Sequence, residues 1–140
     1  MGVRRRAREY AVQMLYQVDQ VGGQPSDQFP AFWDNQPAAE PDVRSFAERL
    51  VEGVCAERVE LDRLIAAGAE HWKLDRIAVV ERNILRLAAY EISHGEDTPP
   101  AVAIDEAIEI GKRFGSAESA PFLNGVLDRI RRIVDREATR

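Results

Sequence analysis

The chain has 140 residues, a formal net charge of -5, two histidines and one cysteine, so an intramolecular disulfide and a cysteine-based zinc site are excluded. Net acidity argues against indiscriminate coating of nucleic acid. No apolar run approaches the roughly 20 residues a membrane-spanning helix needs, and no apolar h-region follows the N-terminal arginines; a single cytoplasmic domain over residues 1–140 is expected.

The first helix carries Ala7, Ala11, Met14, Leu15 and Val18 on one stripe. Arg4, Arg5, Arg6 and Arg8 lie at its start, where the helix macrodipole disfavours cations, so a functional cluster competes with a frayed, solvated end. Gly22-Gly23-Gln24-Pro25 closes the helix. A stretch containing Pro30, Pro37 and Pro41 follows, and a short helical turn is expected around Phe29, Phe32 and Trp33. From about Asp42, Val43, Phe46, Ala47, Leu50, Val51 and Val54 give the clearest amphipathic pattern. Leu61, Leu64 and Ile65 extend it to Gly68, in the same helix or after a kink.

A further helix is expected from Leu74 to about Ile92, burying Ile77, Val80, Ile84, Leu87, Ala88 and Ile92. Gly95 to Pro100 breaks it, because the residue before a proline is pushed out of helical geometry. The next helix runs from Val102 to Gly115, a residue suited to the left-handed C-terminal position. Ser119-Ala120-Pro121 then offers an N-cap and an early-turn proline. Phe122, Val126, Leu127, Ile130, Ile133 and Val134 define the last helix. No segment alternates like a half-buried strand, so the fold class is all-α, a bundle of six or seven helices.

The corner between the last two helices gathers Lys112, Arg113, Phe114 and Phe122. Cations beside flat rings suit single-stranded nucleic acid, supplying charge for phosphate and faces for unstacked bases; an ordinary helix hairpin with two core phenylalanines is the competing reading. Of 19 basic residues only Lys73 and Lys112 are lysines, a bias that suits planar phosphate contacts and that a GC-rich genome also produces. Catalytic patterns are absent: no G-x-G-x-x-G, no Walker loop and no H-E-x-x-H. Glu91 and His94 form one E-x-x-H element, but di-iron bundles need two, so a solvated helix end is expected there. Glu106 and Glu109 read as charged surface, and Cys55 as a small buried hydrophobe. No metal, cofactor or enzymatic activity is expected.

Several segments together resemble the NusB family of bacterial transcription antitermination factors. They are Arg4-Arg5-Arg6-Ala7-Arg8-Glu9 with Ala11, Gln13, Leu15 and Tyr16; Glu81 with Ile84-Leu85-Arg86-Leu87-Ala88 and Tyr90-Glu91; Val102-Ala103-Ile104 with Glu106-Ala107; and Lys112, Phe114-Gly115 and Phe122-Leu123-Asn124-Gly125-Val126-Leu127. The resemblance covers nearly the whole chain except roughly residues 22–41. It implies two small helical sub-bundles and a non-enzymatic protein that binds boxA RNA together with NusE, a small-subunit ribosomal protein. With NusA, NusG and RNA polymerase, such a complex suppresses termination, notably in ribosomal RNA operons.

By that resemblance Arg4, Arg5, Arg6 and Arg8 would neutralise phosphates, Lys112 and Arg113 would flank the strand, and Phe114 and Phe122 would stack on bases. Arg86 and Asn124 would add RNA contacts, Glu118 would limit RNA affinity, and Tyr16 and Glu81 would face NusE. Members of the family look capable of forming a homodimer. NusB-like domains also precede ribosomal RNA cytosine methyltransferases; with no catalytic domain before Arg140, that reading requires the chain to be a fragment. A helical RNA-recruiting or protein-interaction module without antitermination activity is the remaining alternative.

Overall fold

The computed structural model describes residues 2–95 and 97–139, and among them every regular element is helical. Seven α-helices follow in order: α1 (Val3–Val21), α2 (Phe29–Asp34), α3 (Pro41–Ala56), α4 (Arg58–Gly68), α5 (Val79–His94), α6 (Pro100–Phe114) and α7 (Ser119–Ala138). The chain divides into two compact units, Met1–Ala56 and Glu57–Arg140.

In the first unit α1 packs on α3. The expected stripes meet there: Ala7, Ala11, Met14, Leu15 and Val18 of α1 are buried, as are Val43, Ala47, Leu50, Val51 and Val54 of α3. Each large aliphatic group removed from water contributes about 1.5–3 kcal/mol. Gly22 and Gly23 end α1 with φ of 78° and 81°, backbone that other residues adopt only with strain. The α2 turn closes the unit with aromatic rings. Phe32 and Trp33 meet edge-to-face at 5.0 Å, and Tyr10 of α1 meets Trp33 at 5.4 Å. The Trp33 indole donates to Glu48 Oε2 at 2.6 Å, which satisfies the polar edge of a buried ring.

In the second unit α4 and α7 pack together, and α5 packs on α4, α6 and α7. Helix α4 is separate from α3, because Glu57 leaves helical geometry at φ -105°, ψ 16°. The helix expected from Leu74 starts at Val79 instead. Leu74–Arg76 is a single 3-10 turn, and Ile77 and Ala78 are extended, with ψ of 132° and 145°. Ile77 is nevertheless buried, so its place in the apolar stripe reflected burial without helicity.

Two glycines let helices approach closely. A Cβ on Gly111 of α6 would lie 2.5 Å from Leu123 Cδ1 of α7, and one on Gly68 of α4 would lie 2.9 Å from Ile130 Cγ1. Between α4 and α5 sits a polar core. Arg86 Nε donates to Asp62 Oδ1 at 2.8 Å and Nη2 donates to Oδ2 at 3.2 Å, a two-pronged pair. Arg86 Nη1 also donates to Asn83 Oδ1 at 3.2 Å, and Asn83 Nδ2 donates to Val79 O at 3.1 Å.

Candidate nucleic-acid interface

The corner between α6 and α7 is built from a short turn whose geometry departs from the sequence expectation in two respects. Gly115 is extended, at φ -99° and ψ -155°, so it does not supply a left-handed cap. It is needed for space: a Cβ there would run into Ser119 Oγ and the Gly111 carbonyl. Ser119 is not the N-cap but the first residue of α7, and Glu118 holds the cap position without a side-chain cap bond. The buried Ser119 hydroxyl accepts from the Ser116 N–H at 2.9 Å and donates to Glu81 Oε1 at 2.5 Å. One hydroxyl therefore ties the turn, the start of α7 and helix α5 together.

Around this turn the expected residues separate by role. Lys112 is exposed and pairs with Glu109 at 3.2 Å. The Arg113 guanidinium lies 5.2 Å from the centroid of the Phe114 ring, a cation–π arrangement, and Phe114 is half-buried. Phe122 is half-buried too, while its neighbour Leu123 takes the fully buried position. Asn124 and Glu118 are exposed.

Beside Phe122 opens a cavity of about 280 Å³. Trp72, 55% exposed, forms one wall and meets the Phe122 ring edge-to-face at 6.1 Å. Ile77, Arg76, Glu81 and Glu118 also line it. Glu81, expected on the partner-facing side, thus shares a pocket with Glu118 and Phe122. The sequence reading missed Trp72 and Arg76. The available signal was a tryptophan in the polar run Glu70-His71-Trp72-Lys73, outside any apolar stripe.

The structure takes two of the expected RNA-contacting arginines out of solvent. Arg8 is 3% exposed. Arg86, likewise buried, is held by Asp62 and Asn83 in the polar core. Within the N-terminal cluster Arg4 is exposed over the Phe46 ring at 5.5 Å, and Arg5 and Arg6 are half-buried, with Arg6 3.8 Å from Glu40. The cationic face of α1 is therefore its first turn, and the cluster is narrower than its sequence. Tyr16 stands 44% exposed on the same helix.

Other candidate chemistry is structural. Glu91 is buried, whereas His94 stacks on Tyr90 at 5.4 Å and reaches Glu57 at 3.6 Å. Among the described residues no three metal-ligating side chains converge, and no helix is long and apolar enough to cross a membrane. Cys55 is half-buried where full burial was expected. On the far side of α4, Arg63 hydrogen-bonds Glu60 and bridges to Glu137 of α7 at 3.0 Å. That hydrogen bond holds the Glu60 carboxyl below its usual range.

The NusB family model matches residues 5–132. A Myxococcus xanthus protein named transcription antitermination protein NusB is 41% identical over 133 residues, covering 93% of this chain and 95% of that one. Among solved structures, T. maritima NusB superposes with a TM-score of 0.82 at 37% identity, over 92% of this chain and 90% of that one. A structure of antitermination factors NusB and NusE in complex with double-stranded RNA aligns with a TM-score of 0.84 at 28% identity, covering 95% and 98%.

Proposed function

The chain belongs to the NusB family of transcription antitermination proteins, and from that premise we propose that it binds boxA-type RNA jointly with a NusE-type ribosomal protein. It carries no catalytic step; its role is to hold RNA and partner together for RNA polymerase, with NusA and NusG, to read through terminators, notably in ribosomal RNA operons. The observation that carries the RNA part is the α6–α7 corner, where Lys112, the Arg113–Phe114 pair and the Trp72–Phe122 pair stand at the surface of one unit. Cations there neutralise phosphate and rings receive bases, stacking being worth about 1–3 kcal/mol per base.

Arg4, Arg5 and Arg6 contribute a second cationic element, whose affinity falls with salt as bound counterions are released. Glu118, exposed at the start of α7, opposes phosphate and limits affinity. Tyr16 offers the partner an exposed aromatic anchor, the kind of residue that carries much of an interface's energy. Localisation in the cytoplasm and a single functional module over residues 1–140 belong to the same reading, and self-association into a homodimer would compete with it by covering the RNA face.

The testing experiment is a titration of labelled boxA RNA against a scrambled RNA of equal length, with and without NusE. Preferential boxA binding that tightens when NusE is added is the expected result. Equal weak binding to both RNAs in every condition would leave a helical interaction module without antitermination activity.

A further inference from the structure

We infer that Arg49 of α3 completes a phosphate site with Arg4 of α1, both guanidiniums being seated on the ring of Phe46, and that this site carries the RNA backbone onto α3. The inference rests on the RNA-binding reading above and adds to it a residue and a surface that the first-turn arginines do not supply.

Phe46 belongs to the apolar stripe of α3, yet it is half-buried whereas Val43, Ala47 and Leu50 around it are buried. The packing of α1 on α3 therefore leaves one ring at the rim of the stripe. Two cations use it. The Arg4 guanidinium carbon lies 5.5 Å from the ring centroid, and that of Arg49, one helical turn after Phe46, lies 5.7 Å from it. Both separations fall within the reach of a cation–π contact. Arg4 and Arg49 are exposed, and neither side chain makes a hydrogen bond or ion pair among the described residues. Two carboxylates of this unit are engaged elsewhere: Glu48 Oε2 accepts from the Trp33 indole at 2.6 Å, and Glu40 stands 3.8 Å from Arg6.

Two positive charges gathered on one ring repel each other, and Arg4 also opposes the positive end of the α1 macrodipole. The face of the ring offsets part of that cost and fixes where the guanidiniums stand. An anion held by both removes the repulsion and satisfies their N–H donors at once. The surroundings select the anion. A protein partner gains most from an apolar anchor at the centre of its interface, and here the aromatic ring is already taken by cations. Backbone phosphate needs no such anchor and matches the planar, bidentate fork of arginine. Because the cations occupy the ring, Phe46 does not stack on a base, and the site positions RNA without reading its sequence. Arg49 touches the ligand; Phe46 is a positioning residue.

The test titrates boxA RNA and a scrambled RNA of equal length, with NusE present, into the intact chain and its variants over a range of salt. Arg49→Gln is expected to weaken both RNAs by the same factor, about fivefold at low salt, and to lower the slope of log affinity against log salt by about 0.7, the value for one phosphate contact on a single strand. Arg49→Lys is expected to restore the slope but only part of the affinity, because the charge returns without the planar fork. Phe46→Leu keeps both charges and is expected to weaken both RNAs about twofold with the slope unchanged, since the guanidiniums lose their seat. Arg132→Gln, which removes an equal charge from an exposed position paired with Asp128 at 3.0 Å, is expected to change neither quantity. Thermal melting checks each fold, and Arg49→Lys keeps the test decisive should Phe46→Leu lose cooperative unfolding.

An Arg49→Gln variant with the affinity and slope of the parent overturns the phosphate site and leaves RNA binding elsewhere intact. A fall in Arg132→Gln equal to that in Arg49→Gln reduces the effect to net charge and overturns it as well. Weakening confined to boxA RNA makes Arg49 a reader of bases, and loss of NusE association in the absence of RNA makes the surface a protein dock; either result also sinks the inference. A parent chain that binds neither RNA with NusE present removes the RNA reading itself, a result that no Arg49 variant can mimic.

Discussion

Charged groups occupy two neighbouring parts of the second unit under opposite conditions. Between α4 and α5, Arg86 is buried and bonded to Asp62 and Asn83 on three nitrogens. At the α6–α7 corner and its cavity, the side chains of Arg76 and Glu118 make no hydrogen bond or ion pair among the described residues, and the rings of Trp72 and Phe122 stay partly in water. The difference teaches that residue type does not assign role. An arginine buried and bonded on all three nitrogens specifies how helices meet, and one on the surface does not.

The sharpest way to break this contrast is to remove a partner in the satisfied region. Asp62→Ala leaves Arg86 buried without its carboxylate and is expected to cost about 3–5 kcal/mol, read as a large fall in the denaturant midpoint. If RNA affinity dropped while stability held, Arg86 would belong with the RNA contacts after all. At the open corner the order should reverse: Phe114→Ala is expected to weaken boxA binding by about 1–3 kcal/mol with helical content unchanged. Loss of cooperative melting in that variant would place Phe114 in the core.

Smaller effects sharpen the electrostatic side. Glu118→Asn removes a charge at the cavity rim and is expected to tighten RNA binding severalfold, measured by titration at low salt; unchanged or weaker binding would count against repulsion. Lys112→Ala is expected to reduce the slope of log affinity against log salt by about 1, uniformly across RNA sequences. The smallest effect concerns Glu60 and Arg63. Because the Arg63 hydrogen bond lowers the folded-state Glu60 pKa from its ordinary 4.5, the pair's contribution is present above that value and is lost as pH falls through the folded value. Glu60→Gln should therefore destabilise by less than about 1 kcal/mol near neutral pH, with the difference from the parent chain vanishing in acid unfolding.

The legible part of this protein was whatever repeats along a helix. Stripes such as Val43, Ala47, Leu50, Val51 and Val54 are buried as their spacing predicts, and the corner residues Lys112, Arg113, Phe114 and Phe122 do surround one turn. The cavity was not legible, because Trp72 and Arg76 come from the irregular link before α5 and meet Glu81 and Phe122 only through folding. Gly115 shows the same limit: its sequence position suggests a left-handed cap, whereas its function is to leave room for Ser119.

By itself the sequence determined the helical class, the order of the helices and the family, because apolar periodicity and local motifs are properties of neighbouring residues. Only the tertiary structure decided which arginines face water, that Arg8 and Arg86 do not, and that Glu81 stands with Phe122. Those outcomes depend on which surfaces pack together and which polar groups find partners there, and the interactions responsible join residues far apart in the chain.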